Sequence, residues 1–142
     1  MFSASVNTYQ LSKLMVRYLI AKVLGYSLVQ GQEETGLMVN KNGHEISLVK
    51  MGDVHYFDPY LNMGYLKDYL DGFSLCSVER KRFSGKMYQW IVTLEDFGRT
   101  VRKQSSNKEH ATLMAIIEFE YGKEPVQIPL AVIKLDKDNQ DG

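Results

Sequence analysis

The sequence has little cysteine, no net charge and no long apolar run. Its single cysteine, Cys76, excludes an internal disulfide. Lysine plus arginine and aspartate plus glutamate each number 17, so the chain as a whole has no field that would attract a polyanion. Any nucleic-acid surface would have to be local, and we do not expect nucleic acid to be a partner.

Long hydrophobic segments are absent as well. The most apolar stretches, residues 14–24 and 113–119, are interrupted by charged side chains and are too short to cross a bilayer. The first five residues lack the charged-then-apolar order of a signal peptide. We therefore expect a cytoplasmic protein with no membrane role.

Residues that could build a catalytic or metal site are few and scattered. His44, His55 and His110 do not have the spacing of a zinc or iron site. Cys76 lies in a predicted strand between apolar neighbours, which is typical of a small buried hydrophobe and not of a nucleophile. The carboxylate pairs lack a neighbour that would raise a pKa for acid or base work. We expect no enzymatic activity, no cofactor and no metal.

What is present is the composition of a folded globular chain. Of the 142 residues, 44% are hydrophobic and 11% aromatic, which is enough for a packed core. Apolar residues recur at helical spacing from Leu11 to Val23, after Thr8 as the predicted N-cap and before Gly25 at the end. Further helices are predicted over residues 62–70 and from Asn107 to Gly122.

Strand patterns lie between these helices. Asn42-Gly43 predicts a hairpin that joins residues 37–39 to 44–49, after a first strand at 26–29. Longer strands are predicted at 73–83, 86–94 and 100–104, with Trp90 pointing into the core. This order predicts an α+β fold: a single domain over residues 1–133 with an antiparallel sheet and two or three helices packed on one side. Residues 134–142 are predicted to be a frayed polar tail.

Three blocks carry a resemblance to a known family. They are residues 11–25, the central residues 56–65, and the helix from Asn107 to Gly122 followed by Pro125 to Pro129. In that order and spacing they resemble the phage NinX-like family of small accessory proteins. Tyr18 stands where the family has a tryptophan, and Ala21-Lys22 matches the end of that motif.

The central and third motifs match less closely. Of the family's central Tyr-Ser-Pro-Ser-Thr-Asp-Trp, only Pro59 is kept. The family's Pro-Thr-Pro helix opening corresponds here to Ser106-Asn107-Lys108, which keeps a capping residue. The resemblance implies an α+β fold and a phage accessory protein that acts in the host cytoplasm, where such proteins often counter host defence. It implies no reaction.

The central loop and two basic clusters provide candidate ligand-binding groups. Aromatic faces stack on bases, and carboxylate or amide groups hydrogen-bond a ribose or a base edge. Guanidinium groups bind phosphates. The predicted ligand-binding residues are Tyr56, Asp58, Tyr60, Asn62, Tyr65, Arg99 and Arg102.

Structural alternatives exist for both features. The loop aromatics can fold under and cover the sheet. The clusters, Arg80-Lys81-Arg82 with Lys86 and Arg99 with Arg102 and Lys103, can be solvated charges that prevent edge pairing. Whether the sheet brings the two clusters together is left open.

We expect a binding protein that sequesters a small nucleotide-derived signalling molecule without chemistry. A homo-oligomer would build its pocket between subunits. One alternative is an adaptor that inhibits a host defence protein through exposed Tyr, Met and Arg side chains. Another is a nucleic-acid accessory protein of phage replication or recombination, whose affinity would fall steeply with salt.

Overall fold

The computed structural model describes residues 2–29, 37–53, 55–83, 85 and 87–140. Lys86, a member of the first basic cluster, lies outside these residues. The chain divides into two compact units. Unit 1 comprises Met1–Asp58 and Lys123–Gly142, and unit 2 comprises Pro59–Gly122.

The described residues contain both helices and antiparallel strands. The elements of unit 1 are β1 (Ser3–Val6), α1 (Lys13–Val23), β2 (Ser27–Leu28), β3 (Met38–Lys41), β4 (His44–Ser47), β8 (Val126–Pro129) and α4 (Leu130–Gln140). Those of unit 2 are a 3-10 turn (Met63–Leu66), α2 (Lys67–Asp71), β5 (Leu75–Arg82), β6 (Tyr88–Asp96), β7 (Arg99–Ser105) and α3 (Lys108–Tyr121). The predicted α+β class is confirmed. The strands form separate antiparallel sheets, β1-β8, β2-β3-β4 and β5-β6-β7, where the sequence predicts a single sheet.

Helix α1 is the central element of unit 1. Its inward face carries Val16, Leu19 and Ile20, which have almost no exposed surface. Burial of each such side chain contributes about 1.5–3 kcal/mol. The helix ends as the sequence predicts, because Gly25 adopts a φ of +98° just beyond its last turn. Its start differs: Ser12, and not Thr8, accepts the capping hydrogen bond from the Met15 amide.

One strand pairing in unit 1 joins segments that are distant in the sequence. Strand β1 pairs with β8 in antiparallel register, with Ser3 opposite Pro129 and Val6 opposite Val126. The chain then continues directly into α4, where Val132 is fully buried. The charged residues from Lys134 onward continue this helix as far as Gln140, although the sequence predicts a frayed tail.

Unit 2 is a three-stranded sheet with α3 packed against β6 and β7. Its Asp96-to-Arg99 hairpin turns through Phe97 and Gly98, which both have positive φ. Helix α3 begins at the predicted cap, Asn107, whose side chain accepts from the His110 amide at 2.7 Å. The helix ends before Gly122, which has a φ of +77°.

Side chains of this sheet divide between two faces. Val92 and Leu94 are fully buried on the face that carries α3. A 2.7 Å ion pair between Lys103 and Glu118 joins β7 to α3 on the same face. Trp90 is only half-buried, so its predicted place in the core is not observed. Cys76 is exposed and not buried as predicted, because it lies on the edge strand β5.

Candidate functional site

Two predicted ligand-binding residues, Tyr56 and Asp58, form a polar group with Arg17 in unit 1. The Tyr56 hydroxyl donates to Asp58 Oδ2 at 3.3 Å, and Arg17 Nε lies 3.8 Å from Asp58 Oδ1. The Arg17 guanidinium lies 5.6 Å from the Tyr56 ring centroid and donates to the Leu48 carbonyl at 3.1 Å. The carboxylate therefore neutralises a partly buried arginine of α1, which the sequence analysis did not associate with this loop.

The next predicted residues, Tyr60, Asn62 and Tyr65, belong to unit 2. The Tyr60 hydroxyl and His110 Nδ1 are 2.9 Å apart, and the two rings stack with their centroids 6.0 Å apart. Asn62 accepts a hydrogen bond from the Gly64 amide at 3.0 Å and so caps the 3-10 turn. Tyr65 lies in that turn and is half-buried. The Tyr60 hydroxyl and the Asn62 side-chain oxygen thus each contact another group of the protein.

Arg99 and Arg102 lie on opposite faces of the β5-β6-β7 sheet. Arg99 pairs with Asp96 and Arg102 with Thr93, three positions apart along β6. The Arg99 guanidinium lies 4.7 Å from the Phe119 ring centroid, on the face that carries α3. Because alternate residues of a strand point to opposite faces, the structure does not bring the two arginines together on one phosphate.

The two basic clusters lie on the strands that flank β6. Arg82 and Arg99 mark their far ends, roughly 26 Å apart along the sheet at a rise of about 3.3 Å per residue. Their near members, Arg80 and Lys103, lie only two rows apart on the same face of the sheet, and Lys103 is paired with Glu118. The clusters therefore approach each other at one point and extend in opposite directions from it.

The arginines of the first basic cluster contact two aromatic rings. Arg80 is the cross-strand partner of Trp90, and Arg82 is that of Tyr88. The Arg80 guanidinium lies 4.6 Å from the Tyr88 centroid and 5.8 Å from that of Trp90. The Arg82 guanidinium lies 5.3 Å from the Tyr88 centroid, and Arg82 Nη2 donates to the Tyr88 hydroxyl at 3.2 Å.

The first residue of α3 completes this group. Lys108 Nζ lies 5.5 Å from the Trp90 centroid. We call Arg80, Arg82, Tyr88, Trp90 and Lys108 the cation-aromatic cluster. The three cations are exposed, Tyr88 is 40% exposed, and none of the three forms an ion pair with another described residue.

The electrostatics of the cation-aromatic cluster favour an anion. Three positive side chains surround two rings, and the amino-terminal end of α3 adds the positive end of a helix dipole. Lys81, which lies between the two arginines, points to the opposite face because it pairs with Gln89. The sequence shows the basic run, but the aromatic partners become evident only from the strand register.

Other groups offer little chemistry in the described residues. Partial burial and the charge of Asp71 raise the pKa of the Cys76 thiol, which lowers its thiolate fraction at neutral pH. No cluster of three or more histidine, cysteine or acidic side chains suited to a metal occurs in the part of the chain that the structure describes. Within that same part, no helix is long and apolar enough to span a membrane.

No protein family, curated protein or solved structure that we compared matches this chain. The resemblance to the NinX-like family therefore stays a prediction.

Proposed function

We propose that this protein binds and sequesters a small nucleotide-derived signalling molecule without catalysing a reaction. The observation that carries the proposal is the cation-aromatic cluster. Its arginines and lysine supply charge and hydrogen-bond donors for phosphate oxygens, and its rings supply faces for a base. A nucleotide is the ligand class that combines both chemistries.

The cation-aromatic cluster is the preferred location for this ligand, ahead of the loop of Tyr56 to Tyr65. In the loop, Asp58 is 7% exposed and is paired with Arg17, and the Tyr60 hydroxyl contacts His110. A nucleotide would have to displace those contacts. In the cluster, the exposed cations already lie at one exposed ring, Tyr88, and at one half-buried ring, Trp90.

The proposal includes no reaction. Arginine and tryptophan side chains hold a ligand, but they neither exchange protons near neutral pH nor attack a phosphorus atom. The biological role, removal of a host defence signal by a phage protein, follows from the resemblance given above. Assembly into a homo-oligomer belongs to the same proposal, since a second copy would enclose a ligand bound at these exposed side chains.

Native mass spectrometry tests the proposal. The purified protein would be incubated with a cyclic dinucleotide or with ATP and sprayed before and after denaturation. We expect a species heavier by one intact ligand per site, which is released unchanged on denaturation and which also gives the number of subunits. Bare protein alone would contradict nucleotide binding, and a cleaved ligand would contradict the absence of chemistry.

A second candidate, binding of single-stranded nucleic acid, is favoured by one observation. Tyr88 and Trp90 are two residues apart on the same face of β6, so their attachment points are about 6.6 Å apart. Successive unstacked bases can contact such a pair of rings. A titration with oligothymidylate at several salt concentrations separates the candidates, because strand binding predicts an affinity that rises with oligonucleotide length and falls steeply with salt.

A further inference from the structure

A concave surface lies in unit 1, between helix α1 and strand β2. It has a volume of about 210 Å³ and is lined by Tyr18, Lys22, Tyr26, Ser27 and Leu28. Pockets for drug-sized ligands usually measure about 300–1,000 Å³, so this one is suited to a single ring and not to a whole nucleotide.

The wall of this pocket combines two tyrosines and a leucine with a lysine and a serine. Lys41 adds a second ammonium, 5.8 Å from the Tyr26 ring centroid. Its stem lies beside Gly25, where a Cβ would come within 3.4 Å of Lys41 Cε. Neither Lys22 nor Lys41 forms an ion pair with a described residue, and no lining residue is acidic.

Tyr18 provides the most specific feature of the pocket. The residue is 9% exposed, its hydroxyl oxygen is not fully buried, and that hydroxyl makes no hydrogen bond to another described residue. Burial raises the pKa of this hydroxyl, so it remains a protonated donor at neutral pH. A donor at the pocket wall without a partner among the described residues can donate to water or to a ligand.

We propose that this pocket binds a small planar anion, a single aromatic ring that carries a carboxylate. The ring packs against Tyr26 and Leu28, and the carboxylate accepts hydrogen bonds from the Tyr18 hydroxyl and the Lys22 ammonium. The site is separate from the cation-aromatic cluster and does not depend on the function proposed for it.

Benzoate is a suitable probe, with benzamide as its neutral counterpart. Amide chemical shifts of the ¹⁵N-labelled protein would be followed during titration. We expect a saturable response at Lys22 and Ser27 with a dissociation constant of about 1 mM, as suits a ligand with so few atoms. Benzamide should bind at least about fivefold more weakly, because it lacks the charge.

Single-residue variants test whether benzoate binds in this pocket. Tyr18→Phe removes one hydroxyl, and Lys22→Met removes one charge but keeps the stem. Each should raise the dissociation constant for benzoate roughly fivefold or more. Lys50→Met, at an exposed lysine of the same unit, should leave it unchanged. Equal binding of benzoate and benzamide, shifts that do not saturate, or the same effect from Lys22→Met and Lys50→Met would overturn the proposal.

Discussion

The guanidinium of Arg80 lies 4.6 Å from the centre of the Tyr88 ring and 5.8 Å from that of Trp90. One arginine thus contacts two aromatic rings that lie two residues apart on the same face of β6. Such contacts contribute about 0.5–1 kcal/mol each at exposed sites, so they order the side chains more than they stabilise the fold. A ligand bound here can therefore contact both a guanidinium group and an aromatic ring.

The first prediction concerns affinity for a nucleotide. Tyr88→Ala and Arg80→Ala should each weaken binding of a cyclic dinucleotide by about 1–3 kcal/mol, measured by isothermal titration calorimetry, because one removes a stacking face and the other a phosphate contact. Lys81→Ala is the matched control, since it removes the same charge from the other face of the same strand. An equal loss in all three variants would indicate general charge attraction and contradict the site.

The second prediction concerns the hairpin between β6 and β7. Phe97 is 90% exposed and has a φ of +52°, a conformation that non-glycine residues other than asparagine and aspartate rarely adopt. Phe97→Asn should raise the free energy of unfolding by roughly 0.5–1 kcal/mol in urea denaturation. Thr100→Asn, two residues beyond the turn, should not raise the free energy of unfolding. A loss of stability in Phe97→Asn would show that the ring contributes to the fold.

The third prediction concerns alkaline pH. Burial, and then the hydrogen bond to Glu120, raise the pKa of the Tyr69 hydroxyl above its usual value near 10. The folded state then holds this proton more tightly than the unfolded state, so the free energy of unfolding should fall as pH rises above about 10. Tyr69→Phe should flatten that decline in urea titrations at pH 9 to 11.

Tyr9→Phe is the control for this experiment, because Tyr9 is 82% exposed. If both variants kept the slope of the unmodified protein, Tyr69 would not be the source of the pH dependence.

The fourth prediction concerns the polar group around Arg17. Asp58→Asn removes the charge that faces this partly buried guanidinium, whose Nε is buried without a hydrogen-bond partner among the described residues. We expect a loss of about 1–3 kcal/mol in the free energy of unfolding, measured in urea. Asp53→Asn, at an exposed position, serves as the comparison. If the two variants lost the same amount, the ion pair would have no special structural role.

Local patterns in the sequence predict much of the fold. Three such features depend only on residues a few positions away: the periodic apolar residues of α1, the Asn42-Gly43 turn and the Asn107 cap. Asn42 and Gly43 indeed both have positive φ, at +53° and +83°. Such features are set by backbone sterics and neighbouring hydrogen bonds, which a sequence displays directly.

Features that depend on distant partners were not predicted. Strand β1 has no local signal, since its partner β8 lies over 120 residues away, as in the hydrogen bond between Ser3 and Gln127. The alternation of side chains in β6 predicts which face of the sheet Trp90 occupies, but it does not show what covers that face. The predicted core position of Trp90 is therefore not observed. The cation-aromatic cluster needs both the β5-β6 register and the start of α3, so the sequence alone shows only its separate pieces.

The most direct test of the proposed function uses the intrinsic fluorescence of the protein. Trp90 is the single tryptophan of the chain and belongs to the cation-aromatic cluster. Its emission would be followed while a cyclic dinucleotide is added to the unmodified protein and to Arg80→Ala. We expect a saturable change that Arg80→Ala weakens. Unchanged emission while the nucleotide is bound would mean that the ligand lies away from Trp90, which would contradict the proposed site.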